Sequence, residues 1–553
     1  MSSATYPTAA QTPPDAERQL RLQEERLEQF RREQREKERQ RIEEDRLSLP
    51  REERYRSDGV QKYCFPLSEL DLRGDGGLLP KQKLDELSRG FFGYCVGVGQ
   101  INVLVERLTR YYFDLGYVTT RVYLPQQDLS SGTLRLEVLP GTVEALAFSA
   151  PEANLHLSLT SAVPLEEGDL FNLRALEQGL DQLNRLSSNN ATVELAPGEK
   201  PGSSRVLIDN RPSRRYRATF GYDNSGDEST GETQRNLLLE WDSPLTLNDY
   251  LYLYYQGDVK DTADGLGSES ASLHYSIPYH YWTWSLDINR FEYLSTVEGF
   301  LTNFESAGIS ESVRASANRL VYRDQQNKFN LIFGLARKKS RNFIEDVLLE
   351  TASRTLSTGS LGASWQWYGE GGGSLFTELT YHHGMKQFGA LEDSDLNGGP
   401  EAQFEKYTLN LNYRTAFAAL GRNWYWRSGL RGQYSDDRLY GSEQFTIGTG
   451  GSVRGYKSLG LSGASGAVTT QEISGYFPLS GWLEETGVQL ALGLEAGDVS
   501  LAGHKQSLKS WYSTVNWSGL GLRLSLTYAE PIAAPREYEV PGQAVYGSFN
   551  WEF

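Results

Sequence analysis

From Ser213 to Phe553 the chain is a succession of short runs in which apolar and polar residues alternate, divided by clusters of Gly, Asn, Asp and Ser. Successive side chains of a strand point to opposite faces, so each run has one apolar and one polar side. Leu520 to Tyr528 is the clearest: Leu520, Leu522, Leu524 and Leu526 share one face, and Gly521, Arg523, Ser525 and Thr527 the other. At the end of the chain Val545, Phe549, Trp551 and Phe553 alternate with Tyr546, Ser548, Asn550 and Glu552. A soluble sandwich alternates in this way, and so does the apolar-out, polar-in wall of a transmembrane β-barrel. Composition favours the barrel, with 32 Tyr, 22 Phe and 55 Gly beside a hydrophobic content of only 39%. No apolar run approaches the roughly 18 residues of a spanning helix, which excludes a helical membrane protein.

Seventeen runs can be marked between Arg214 and Phe553. Single-chain bacterial barrels have an even strand number, and the short Gln444–Ile447 run adjoins a Gly-rich turn, so it is assigned to a loop. The expectation is a barrel of 16 antiparallel strands over 211–553, with that loop following the eleventh strand.

A chain of 553 residues holds several units. Residues 1–14 read as a flexible N-terminus, and 15–47, rich in Arg, Glu and Gln without Gly or Pro, as a helix. Its sparse apolar residues form no heptad stripe, so it needs a wet or polar surrounding. Residues 48–63 read as a linker. In 64–141 the spacing of Ile101, Leu104, Leu108, Tyr111 and Leu115 predicts one buried helix face, ended by Gly116, with strands at Tyr117–Leu124 and Leu134–Val138. Residues 142–210 repeat the plan, with Leu173, Leu176, Leu180 and Leu183 on the helix face.

Cys64 and Cys95 are the two cysteines. One disulfide in an oxidising compartment fits them, as do two reduced core thiols. Met1 is followed by polar residues, prolines and charge, so an exported form is expected to be a mature chain with an added start Met. The net charge of −17 argues against a nucleic-acid partner, whose phosphates need a basic face. No HExxH pair, metal-ligand spacing or GxSxG elbow occurs, so neither a metal nor a cofactor is expected. Asp223 to Asp227 has the look of a calcium loop, lacks its closing Glu, and is read as a turn.

Gly448, Gly450 and Gly451 allow the backbone to double back, which would carry Val453-Arg454-Gly455-Tyr456 on a hairpin tip. Set in a long strand series, this motif resembles the inward-folded loop, at about 448–467 here, of the outer-membrane two-partner secretion transporters. Gly116 to Arg121, the run Leu124, Pro125, Gln126, Gln127, Asp128 and Leu129, and Gly132 to Leu134 are similar to the first POTRA domain of that family. Gly179 to Asn184 with Pro197-Gly198 and Pro201-Gly202 is similar to the second. The string Gly493, Leu494, Glu495, Ala496, Gly497 resembles the family's barrel-wall motif, which more often carries Asp at the place of Glu495. Read alone, Asp128 and Gly132 could merely shape a turn.

The resemblance implies an outer-membrane location with two α+β POTRA domains in the periplasm and the 15–47 helix as a plug in the lumen. It implies a large secreted exoprotein as partner, of toxin, haemolysin or adhesin type, contact with outer-membrane lipid, insertion by the barrel-assembly machinery through a signal ending at Phe553, and a monomer. A guanidinium inside a lumen needs a carboxylate. Val488, Leu490, Leu492 and Leu494 face outward by period two, which turns Ala491, Gly493, Glu495 and Gly497 inward and offers Glu495 to Arg454, with a two-toothed fork open to it. The resemblance thus implies Arg454 and Glu495 as a lock with Tyr456 beside it. Arg454 as a solvated loop residue is the plainer alternative. An assembly factor that inserts barrels shares the loop and POTRA units, and a passive porin or outer-membrane enzyme is the rival of a different class.

Overall fold

The computed structural model describes residues 14–44, 64–93, 95–227, 229–259, 266–297, 302–369, 371–393, 399–479, 486–501, 504–535, 538 and 542–553. The segment expected as a flexible N-terminus, apart from Pro14, and the linker expected at 48–63 lie outside them.

Among the described residues, 16 strands running from Tyr216–Asp223 to Ala544–Glu552 pair antiparallel with their sequence neighbours and close into a barrel. The last strand pairs with the first, Phe549 opposite Tyr222 and Trp551 opposite Phe220, and the backbone of Phe553 exchanges hydrogen bonds with Ala218 (3.0 and 3.1 Å). A closed ladder leaves no unpaired edge in hydrocarbon. Val347–Leu348 forms a small hairpin extension on the Asn327–Ile344 strand and stands outside the wall count.

The run expected to begin at Leu520 begins at Leu522 and reaches Ala533. Leu520 and Gly521 both have positive φ (55° and 74°), the conformation of a two-residue hairpin turn whose twist suits the flanking strands. At the far end Pro531 contributes no N–H, and the register shifts by a bulge between Lys509 and Ser510, which lets the strand continue.

Residues 64–141 form a three-stranded sheet, Glu69–Arg73, Thr133–Leu139 and Arg121–Tyr123 in spatial order, under the helix Val98–Asp114. Ile101, Leu104, Leu108 and Tyr112 fill its core. Tyr112, not Tyr111, completes the stripe, its hydroxyl donating to Asp75, and Leu115 caps the helix at 43% exposure. Cys64 and Cys95 form a disulfide (Cα–Cα 5.2 Å) that joins two short paired strands, Cys64–Pro66 and Cys95–Gly97.

The next unit places the helix Leu173–Asn184 on the sheet Thr142–Phe148, Ser203–Asp209, Thr192–Pro197, with Leu173, Leu176, Leu180 and Leu183 buried. Its helix also faces the barrel rim. Arg323 bonds Glu177 (2.9 Å) and Asp181 (2.5 Å), Lys328 bonds Asp181 (2.6 Å), and Arg185 bonds Ser276 Oγ and the carbonyl of Asn248. Burial alone would raise the Asp181 carboxyl; Arg323 and Lys328 outweigh it and hold it below its usual range. This ion-paired seat fixes which end of the barrel carries the globular units.

Candidate functional site: the occupied lumen

The helix Pro14–Glu44 is polar on every side, so it is stable only among groups that can pair with it. The inward faces of the wall strands supply them. Near its start Gln19 bonds Ser229, in the turn after the first wall strand. Glu24 meets Lys338 (3.3 Å), Glu28 meets Arg314 (3.4 Å) and Arg31 lies 3.7 Å from Asp287. Phe30 stacks on Tyr254 (4.1 Å between centroids) and meets Tyr252 edge-on, and Arg39 lies over Phe376. Near its end Arg41 donates to the carbonyl of Arg185 (2.6 Å) on the globular unit seated at the rim. The helix therefore runs through the lumen from one mouth to the other.

The loop between the eleventh strand, Arg422–Tyr434, and the twelfth, Ser465–Leu479, shares that space. It occupies 435–464 and not about 448–467: Ser465, Gly466 and Ala467 already pair with Ser500, Val499 and Asp498 in the wall. Inside it, Phe445–Gly448 pairs with Gly460–Gly463 as a small separate hairpin. The reversal uses Gly448 (φ 94°), Thr449 (φ 57°) and Gly450 (φ 74°), so Thr449 takes a left-handed position and Gly451 does not.

The hairpin carries Val453, Arg454, Gly455 and Tyr456 against the wall. Val453 is fully buried with Ile447, Leu461, Val499 and Leu508. Glu495, on the strand Thr486–Leu501, has a side chain only 2% exposed and faces the loop, while Leu490, Leu492 and Leu494 are 41–60% exposed outside. Its Oε1 lies 3.1 Å from Arg454 Nη1, a close ion pair without hydrogen-bond alignment, and its Oε2 accepts the backbone N–H of Arg454 (2.7 Å) and the hydroxyl of Ser510 (3.3 Å). The two-toothed guanidinium fork is thus not formed, because the loop's own amide takes one oxygen. The guanidinium lies over the Tyr512 ring (3.9 Å to the centroid), a cation–π contact. Tyr512 donates to Glu472 (2.7 Å) and Tyr546 to the carbonyl of Arg454 (2.7 Å).

The small residues make this fit possible. A Cβ on Gly493 would lie 2.2 Å from the Tyr512 ring, and one on Gly497 would lie 2.9 Å from Ile447. A Cβ on Gly455 would lie 2.7 Å from the nitrogen of Pro531. Tyr456 is fully buried, and its hydroxyl reaches the carbonyls of Ala533 (2.6 Å) and Lys509 (3.3 Å) at the bulge beside Pro531. A side chain from the loop thereby satisfies groups that the broken ladder leaves over.

A second anchor was not singled out from sequence. Glu443, in the same loop, is 4% exposed and bonds Lys338 (2.8 Å) and Lys406 (2.7 Å) on two different wall strands. Burial would raise its carboxyl, and the two lysines outweigh that and hold it well below the usual carboxylate range. The available signal was parity: Phe333 and Leu335 face outward, which turns Lys338 inward.

Gln126, Gln127, Asp128 and Leu129 lie far from this lumen in chain and fold. Gln127 exchanges hydrogen bonds with the backbone of Arg135 (2.7 and 2.8 Å), Asp128 caps Ser130 N (2.9 Å), Leu129 packs on the core and Gln126 is exposed. At these positions the motif shapes a turn. His382 and His383 point to opposite faces, the first bonding Thr408 (3.0 Å) and the second 3.8 Å from Glu405.

A closed barrel with two tandem periplasmic modules, a helix through its lumen and an inward loop defines a polypeptide transporter of the outer membrane. Comparison with known proteins narrows the class. The sequence pattern of the family "Haemolysin secretion/activation protein ShlB/FhaC/HecB" matches residues 202–524, a ShlB-type POTRA domain matches 65–141, and a further POTRA domain matches 142–197. The outer membrane transporter CdiB of Dickeya dadantii (strain 3937) is 33% identical over 418 residues, 75% of this chain and 73% of that protein. Hemolysin transporter protein ShlB of Serratia marcescens is 29% identical over 469 residues, 84% of this chain and 80% of that one. The structure of CdiB from Escherichia coli matches with a TM-score of 0.88 at 26% identity, over 99% of this chain and 100% of that one. The chain belongs to the ShlB/FhaC/HecB family and is a two-partner secretion transporter, its barrel in the bacterial outer membrane and its POTRA domains in the periplasm.

Proposed function

We propose that secretion requires the lumen helix to leave while the loop stays anchored by Arg454 and Glu495. The observation that carries this reading is that helix and loop both lie within the lumen, and among the described residues the helix is held there through its own side chains. The cargo is a large exoprotein of toxin, haemolysin or adhesin type. An extended segment of it docks along an exposed POTRA strand edge, where backbone hydrogen bonds give affinity independent of sequence. Folding outside the cell drives transfer, so the chain works as a conduit and not as an enzyme. It acts as a monomer, and the barrel-assembly machinery reads the last strand through Phe553.

Tethering the helix tests the first step. Cysteines at Phe30 and Tyr254, whose rings stack at 4.1 Å, joined by a short thiol-reactive cross-linker with a reducible arm, are expected to block release of a co-expressed exoprotein and to restore it on reduction. The untethered chain under the same reductant controls for the Cys64–Cys95 bond. Release that continues through an intact tether removes helix exit from the pathway.

A further inference from the structure

One outward face of the wall changes character partway along. On the strand Asn327–Ile344, Phe329, Leu331, Phe333 and Leu335 are 38–50% exposed on the outside of the barrel. By period two the same face continues as Arg337, Lys339 and Arg341. The Asn327 end is the periplasmic one, because Lys328 bonds Asp181 of the second POTRA domain. The cations therefore lie toward the extracellular side. Phe329 to Arg337, at about 3.4 Å per residue and a tilt of about 40°, climbs about 21 Å, close to the roughly 25 Å apolar band of such barrels. Arg337 and Lys339 thus stand where hydrocarbon gives way to the headgroups of the outer leaflet.

Neighbouring strands extend the feature. On Trp282–Val297 the outward residues Trp284, Leu286 and Ile288 are followed by Arg290, which shares a ladder row with Glu311 and Lys339. Arg290 pairs with Glu292 and Glu311, Arg341 lies 3.8 Å from Glu311, and Glu269 accepts the Tyr255 hydroxyl (3.1 Å). Arg337 donates Nε to the carbonyl of Phe388 (2.9 Å). Among the described residues neither Arg337 nor Lys339 has a carboxylate partner. Beside Arg290 lies an apolar groove of about 370 Å³ lined by Leu237, Leu239, Leu253, Leu273 and Ile288. It exists because Ala271 stands between Tyr255 and Arg290 in one ladder row, leaving a gap above Leu253, Leu273 and Ile288 in the next. Arg337 continues that second row two strands beyond Ile288, about 10 Å away at the usual strand spacing.

We propose that this face binds a phosphorylated, multiply acylated lipid of the outer leaflet, its phosphates on Arg337, Lys339 and Arg290 and one acyl chain in the groove. Charge complementarity and depth select this occupant: two cations without carboxylate partners among the described residues sit at headgroup level beside a chain-sized apolar trough open to the bilayer.

The test is native mass spectrometry of the full chain, released from detergent after incubation with diphosphorylated lipid A. The Arg337→Gln, Lys339→Gln, Arg290→Gln triple variant is expected to retain roughly 150-fold less lipid, about fivefold for each surface cation removed. Ala271→Phe, which fills the hollow and leaves every charge in place, is expected to lower retention as well. Lipid A stripped of its phosphates should bind wild type as weakly as the intact lipid binds the triple variant. Heat-modifiable migration establishes that each barrel is folded. If the triple variant does not assemble, Arg337→Gln and Lys339→Gln singly replace it. Retention that is unchanged in the cation variants, or equal for phosphate-free lipid, overturns the site.

Discussion

Glu443→Gln isolates the charge that ties the inward loop to the far wall. The carboxylate is 4% exposed and lies 2.8 Å from Lys338 and 2.7 Å from Lys406. At an effective dielectric near 20, each such contact is an attraction of about 6 kcal/mol before desolvation is counted. Breaking a buried pair costs about 3–5 kcal/mol, since the surviving charge is left uncompensated. The lower end applies: the amide is isosteric, Lys338 retains Glu24 at 3.3 Å, and Lys406 retains the carbonyl of Glu443 at 3.0 Å. About 3 kcal/mol against the seated loop raises the population of unseated loops roughly 150-fold. Single-channel recording in planar bilayers reads this as a rise of about two orders of magnitude in opening frequency at unchanged unitary conductance. Lys406→Gln should do much the same, and the two together less than the sum, because they break one contact. Acidification separates this anchor from others. A carboxyl depressed in the seated state contributes fully above its ordinary value and loses that contribution only as pH falls through its lowered one. Between about pH 8 and pH 5 the Glu443 contribution is therefore constant, and the ratio of mutant to wild-type opening stays flat. An opening frequency equal to wild type at neutral pH would refute the reasoning, as would a ratio that collapses by pH 5.

Arg454→Ala leaves Glu495, 2% exposed, without its cation, at a cost of about 3–5 kcal/mol to the seated loop, and secretion of a co-expressed exoprotein falls while heat-modifiable barrel accumulates normally; full secretion would make the pair dispensable. Gly455→Ala puts a methyl group 2.7 Å from the backbone of Pro531, so it unseats the tip and lowers secretion with every charge intact, measured in the same assay. Deleting residues 15–47 removes the lumen helix and raises unitary conductance in planar bilayers; unchanged conductance would show that the helix does not limit the pore. Cys64→Ala with Cys95→Ala opens a bond spanning a sequence separation of 31 and lowers the stability of the first POTRA domain by roughly 3–4 kcal/mol, seen as faster proteolysis within 64–141 of the full chain.

The wall was legible because period two reports sidedness directly. Alternation set Leu490, Leu492 and Leu494 outside and Glu495 within, and the structure places them so. The even-number rule moved Gln444–Ile447 off the wall, and Phe445–Gly448 does pair only with its own return strand, Gly460–Gly463, within the loop. What stayed hidden depends on partners far apart in sequence. Pro531 reads as a stop, yet the strand runs on to Ala533 because a bulge and the Tyr456 hydroxyl take up the groups left over. Adjacent Tyr111 and Tyr112 differ by about 100° around a helix, too little for spacing alone to choose between them when the stripe is near its end. The missing fork between Arg454 and Glu495 comes from a backbone amide, a donor that every residue carries and no motif records. Glu443 carries no local mark at all, since its meaning lies in two lysines on other strands.

These contrasts divide the molecule by how its parts are attached. Each wall strand is joined to both neighbours by a continuous ladder, so moving one would break many backbone bonds in a medium that offers no replacement. The second POTRA domain is seated on the rim by buried ion pairs, Arg323 with Glu177 and Asp181 and Lys328 with Asp181, together with the hydrogen bonds of Arg185 to the barrel. The lumen helix is different: among the described residues its contacts are made through its own side chains, and each group it leaves faces a polar lumen where water and cargo can replace it. The loop stands between these cases, with Tyr456 and Val453 buried as in a core and Glu443 and Arg454 paired to the wall. Cost of displacement therefore rises from helix to loop to wall. Arg185 sits where the first of these meets the last, its carbonyl holding Arg41 of the helix and its guanidinium bonded to Ser276 and Asn248 of the barrel. A load applied to the second POTRA domain at that residue is thus resisted by the barrel rim and transmitted to the part that yields most easily.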